Sequence, residues 1–148
     1  MASNGTTEEF RLDPRLAQDT VHVTEFPLCR LLLMRNADYP WFILVPRLVG
    51  VTELHRLSAP DLARLMEESR VLATAMDAAF APRSLNVGKL GNVVPQLHLH
   101  HVARFPGDAA WPGPVWGRPA GALHDQASAK AMIDRLLGHL AADPEIAE

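Results

Sequence analysis

Residues 91–104 read Gly91-Asn92-Val93-Val94-Pro95-Gln96-Leu97-His98-Leu99-His100-His101-Val102-Ala103-Arg104. After a Gly-Asn turn and a proline, the stretch alternates as a β-strand does, with successive side chains on opposite faces. Gln96, His98, His100, Val102 and Arg104 fall on one face; Leu97, Leu99, His101 and Ala103 fall on the other. At about 3.3 Å rise per residue, the imidazoles of His98 and His100 leave the strand roughly 7 Å apart. A solvent-facing strand has no reason to repeat histidine at period two, whereas catalysis needs such groups held on a rigid element. One imidazole can act as a nucleophile while a second donates a hydrogen bond or a proton.

Ser84 to Leu90 reads as the strand before this one, with Gly91 to Pro95 as the connection. Further upstream, Ser58-Ala59-Pro60-Asp61 carries the marks of a helix start: a capping hydroxyl, an early proline and an acid near the positive end of the dipole. Leu62, Leu65, Met66, Ser69, Leu72, Ala73, Met76 and Phe80 then form an apolar stripe at helical spacing, which Pro82 ends. Before it, Cys29–Met34 (CRLLLM) and Trp41–Val45 (WFILV) flank the polar turn Arg35-Asn36-Ala37-Asp38, as in an antiparallel hairpin. Both runs are too continuously apolar for a half-wet sheet, so both faces should be covered. A first strand starts at Val21 and ends near Phe26-Pro27. Ala109 to Pro119 is too rich in Pro and Gly for regular structure, and Trp111 and Trp116 within it need something to pack on. A last helix is expected over about 125–142. Strands, helix, strands, helix predict a single α+β domain over 1–148: an antiparallel sheet of about five strands, a long helix between strands and a C-terminal helix. Residues 1–9 are expected to be frayed.

The chain has 148 residues, 48% hydrophobic and 21% charged, with a formal net charge of −3. That length supports a core without disulfides, and the charge excludes a broad basic surface for nucleic acid. Cys29 is the only cysteine, so neither an intramolecular disulfide nor a Cys-rich metal site can form. No apolar run is long enough to cross a bilayer, and the start lacks a secretory pattern. A cytoplasmic protein without a membrane partner is expected.

The 91–104 stretch resembles the signature of the histidine-triad (HIT) family: a glycine, a short lead-in, then His-φ-His-φ-His-φ-φ with φ apolar. Asn86-Val87-Gly88 upstream, the apolar strand ending in Pro46 and Trp111-Pro112 downstream agree with it, so that it spans roughly 20–116. The resemblance implies a homodimer that binds a purine nucleotide or related nucleoside phosphate and cleaves at its α-phosphate, with no cofactor. It implies that His98 is the nucleophile, that His100 hydrogen-bonds phosphate oxygens or the leaving group, and that Asn86 contacts phosphate. It also implies that the backbone carbonyl of Gln96 holds the other ring nitrogen of His98. Gly91, Asn92 and Arg104 complete the expected phosphate surroundings.

Several positions depart from the family pattern. Gln96 stands at the first triad position and cannot ionise, so slower cleavage than with a complete triad is expected. Asn92 and Val93 replace a glutamine and a hydroxyl residue, and Trp41 stands where many members have another histidine. The ribose-binding acid falls near residues 33–36, where Asn36 or Asp38 could substitute. His101 replaces an apolar residue and is assigned to edge or interface packing. The alternatives are a nucleotide-binding module with little catalysis and a metal site on His98 and His100, which would need a third ligand. Cys29 is read as a small buried hydrophobe.

Overall fold

A computed structural model describes residues 9–140; of the stretches expected to be frayed (1–9) and helical (about 125–142), residues 1–8 and 141–142 lie outside that range. Five strands form one antiparallel sheet: β1 (Thr20–Glu25), β2 (Cys29–Met34), β3 (Trp41–Pro46), β4 (Ser84–Gly88) and β5 (Leu99–Arg104). Their spatial order is β1-β2-β3-β5-β4. The first three strands follow as a meander. After β3 the chain crosses through a long helix to the far edge, and β5 returns to fill the gap between β3 and β4. Pairs such as Ile43 opposite His100 and Gly88 opposite His100 fix that register. The histidine strand is therefore flanked on both sides and cannot slide without turning its whole side-chain set to the wrong face.

Three helices accompany the sheet: α1 (Pro14–Asp19), α2 (Ala59–Phe80) and α3 (Gln126–Leu140). Ser58 caps α2 as its sequence predicts, its Oγ accepting from the Asp61 amide at 3.2 Å. The helix ends on Ala81 in the left-handed region, just before Pro82. The buried stripe of α2 is rotated from the expected one. Met66 is exposed, while Glu68 is buried. The carboxylate of Glu68 accepts backbone N–H groups of Leu28 and Cys29 at the β1–β2 turn, at 3.0 and 2.8 Å. A charge with such donors can enter a core that would otherwise reject it.

Both sheet faces are covered, as the apolar runs predict. On one face α2 and α3 enclose a core containing Leu31, Leu33, Phe42, Leu44, Leu99 and Ala103. On the other, Leu32, Ile43, Val45 and Val102 meet Leu16 of α1, Val94, Ala110 and Val115. Apart from α1, this second cover is made of loops, which leave room for a cavity. His101 lies on the helix face at 0% exposure, between its own strand and α2. Its Nδ1–H donates to the Leu99 carbonyl at 3.1 Å and its Nε2 accepts from the Ser69 hydroxyl at 2.7 Å. That corrects its assignment to an edge or interface: β5 is an interior strand. Burial pushes its pKa down to about 4, so the ring is neutral. Among the described residues, no helix is long and apolar enough to cross a membrane.

Candidate active site

A cavity of about 330 Å³ opens on the loop-covered face of the sheet. His98 and His100 line it, with their ring centroids 4.8 Å apart. β5 begins at Leu99 rather than Leu97, because the Leu97 amide donates to the Val51 carbonyl in a loop. The alternation nonetheless runs back through His98, so both rings share the cavity face.

The two rings are held by opposite kinds of hydrogen bond. Nδ1–H of His98 donates to the carbonyl of Gln96 at 2.7 Å. Nε2 is then the nitrogen that carries the free lone pair. Burial lowers the pKa of this ring and the Lys89 charge pushes the same way, against the Gln96 carbonyl and Asp13. In His100 it is Nδ1 that accepts, from the indole N–H of Trp41 at 3.0 Å. The neutral His100 ring must therefore carry its proton on Nε2. Burial, reinforced by the neighbouring imidazoles of His98 and His101, pushes its pKa down to about 3. Trp41 and Trp116 both pack against His100, each with its ring centroid 5.6 Å away. The site thus presents one nitrogen with a free lone pair beside one neutral N–H donor.

Of the residues expected from sequence, His98, His100, Trp41, Gly91 and Asn92 line the cavity. Gly91 takes φ of +77°, which lets the chain turn along the rim where a side chain would strain it. Gln96 supplies its carbonyl to His98, but its side chain turns away. Its Oε1 accepts from the Asp13 amide and its Nε2 donates to the Arg11 carbonyl, both at 2.8 Å. These bonds clamp the segment that leads into α1. Arg104 and Asn86 meet each other at 2.8 Å, away from the cavity lining. Arg104, 2% exposed, forms a two-pronged ion pair with Asp108, both contacts at 2.9 Å. Asn36 is also outside the lining, its side chain accepting from the Asp38 amide at 2.9 Å.

Sequence reasoning missed the wall contributed by α1, where Arg15, Leu16 and Asp19 line the cavity. Six residues are too few to show a helical period; the available signal was Asp13-Pro14, a cap followed by a first-turn proline. Arg118 and Trp116 also reach the cavity from the Pro/Gly-rich loop. Among the described residues, no three His, Cys, Asp or Glu side chains gather to hold a metal, which leaves the His98–His100 pair without the third ligand that reading requires.

The five-stranded α+β fold that carries these imidazoles is shared with solved structures. The family profile described as HIT domain matches residues 15–107, and the chain belongs to that family. It is similar to a histidine triad protein from Marinobacter aquaeolei, with 42% identity, 90% of this chain and 98% of the other covered, and a TM-score of 0.87. A histidine triad protein from Bradyrhizobium japonicum shares 38% identity over 90% of this chain and 99% of its own, with a TM-score of 0.86. One from Sinorhizobium meliloti shares 35% over 88% and 96%, also at 0.86. No curated protein matches the chain.

Proposed function

We propose that this protein cleaves nucleoside phosphate derivatives at the α-phosphate through a nucleotidyl intermediate on His98. Its family is one of nucleotide hydrolases and transferases. The observation that carries the reading is the 2.7 Å bond from His98 Nδ1–H to the Gln96 carbonyl. It fixes the tautomer, aims the ring and leaves Nε2 unprotonated for attack on phosphorus. His100 donates its Nε2–H to a phosphate oxygen, stabilising charge that develops as the bond to the leaving group breaks. Water then attacks the phosphorus of the intermediate and releases a nucleoside monophosphate. The apolar walls, among them Leu16, Ile43 and Val115, suit a purine base.

The test is mass spectrometry of the protein quenched during turnover of a dinucleoside polyphosphate. A nucleotidyl adduct on His98 is expected, and His98→Ala should lose turnover by at least about 1,000-fold. Full activity in that variant would overturn the mechanism. Nucleotide binding with neither turnover nor adduct would instead make the protein a binding module.

A further inference from the structure

Neither imidazole in the cavity is poised to protonate a leaving group. His98 keeps Nδ1–H on the Gln96 carbonyl, and His100 accepts at Nδ1 from Trp41 rather than holding a second proton there. Gln96, at the first triad position, has both ends of its amide engaged by the N-terminal arm. A departing amine must gain a proton as its P–N bond breaks. A departing phosphate is stable as an anion and needs positive charge instead.

The cavity has that charge at its mouth. With both imidazoles neutral, Arg15 and Arg118 are the cationic side chains among the lining residues. Among the described residues, Arg118 has no carboxylate within ion-pair reach. Arg15 approaches Asp19 only at 3.8 Å, and both side chains are largely exposed, so that pair barely competes for it. Even counting Asp19, the mouth holds two guanidinium groups against one carboxylate. The backbone of Arg15 is fixed twice over: Asp13 accepts its amide at 2.8 Å, and Gln96 clamps Asp13. Guanidinium forks match phosphate oxygens in geometry as well as in charge.

We propose that Arg15 and Arg118 form an anion subsite at the mouth of the cavity, which holds the phosphate of the leaving group. The substrates are then nucleoside phosphoanhydrides, preferred over phosphoramidates with amine leaving groups. The catalytic half of this statement rests on the His98 reading above, while the subsite itself requires only binding. In the chemical step the Nε2–P bond forms and the P–O anhydride bond breaks. The electron pair stays on the bridging oxygen of the departing phosphate, which the two arginines hold. Water then forms the new O–P bond, the pair of the P–Nε2 bond returns to the ring, and the proton from water passes to solvent.

Calorimetry with AMP and with the uncleavable α,β-methylene analogue of ADP tests the subsite. The protein should bind the analogue about tenfold tighter than AMP, with the gap shrinking as salt is raised. Arg118→Gln and Arg15→Gln should each narrow the gap to about threefold or less, while AMP affinity stays within about twofold. Retained AMP binding shows that the variants are folded, and Arg118→Lys should keep part of the gap. Equal affinity of the unaltered protein for both ligands, or an equal loss for both in Arg118→Gln, would overturn the proposal. Because the analogue is not cleaved, this result is independent of a covalent step. An adduct on His98 with no affinity gap would remove the subsite and leave the mechanism standing.

Discussion

The indole of Trp41 decides what His100 can be. By the family resemblance many members carry another histidine at this position, whereas a tryptophan can only donate. Its bond to Nδ1 excludes the imidazolium form unless it breaks, so His100 acts as a fixed neutral donor. Trp41→Phe keeps much of the aromatic packing and removes the donor. The lost contact leaves a buried acceptor unpaired, a cost of about 1–3 kcal/mol. Turnover should fall by roughly 10- to 100-fold, and nitrogen NMR should show His100 as a mixture of tautomers. A single Nε2–H tautomer with unchanged turnover would reduce Trp41 to packing.

Among the elements, the joints rest on buried polar groups rather than on apolar contacts alone. Glu68 fastens α2 to the β1–β2 turn, Ser69 fastens it to His101 on β5, and Arg104 ties β5 to Asn86 of β4 and to the Asp108 turn. Asp108, held by the Arg104 guanidinium, has its pKa pushed down to about 2. Arg104→Ala would leave that carboxylate in a nearly closed site and should destabilise the fold by about 3–5 kcal/mol in urea. The KM of the folded variant should stay within about twofold, since Arg104 does not line the cavity. A large rise in KM without loss of stability would restore the phosphate contact expected from sequence. The element boundaries show the same division. Strand alternation and the Ser58 cap were legible because they are local. The exchange of Met66 for Glu68 on the buried stripe was not, because its cause is a turn 40 residues away.

For the molecule as a whole, buried neutral imidazoles make the fold acid-sensitive. His100 and His101 have folded pKa values of about 3 and about 4, against 6.5 in the unfolded chain. The unfolded state therefore binds more protons as pH falls, and the stabilisation present above pH 6.5 is lost progressively toward pH 3–4. A tenfold change in proton affinity corresponds to about 1.4 kcal/mol, so His101 alone contributes on the order of 3 kcal/mol. The urea midpoint should drop steadily below pH 6.5, and His101→Gln should flatten that slope. The proposed attack by His98 requires its neutral form, and its pKa also lies below the ordinary value. The acid limb of kcat/KM should therefore fall below pH 6.5, with a plateau above it. An acid limb above pH 7 would contradict the geometry of the ring.

The strands, the two long helices and the pair His98–His100 were readable from the amino acids alone, because period-two and helical patterns record which face is buried, and the 91–104 motif carried the family resemblance. It also identified Gln96 as a departure. What that departure does, which proton each imidazole carries and which residues wall the cavity became visible in the folded chain. Those outcomes depend on partners far away in the chain: Gln96 with Arg11 and Asp13, His100 with Trp41, His101 with Ser69. A hydrogen bond between side chains brought together by folding leaves no period in the sequence.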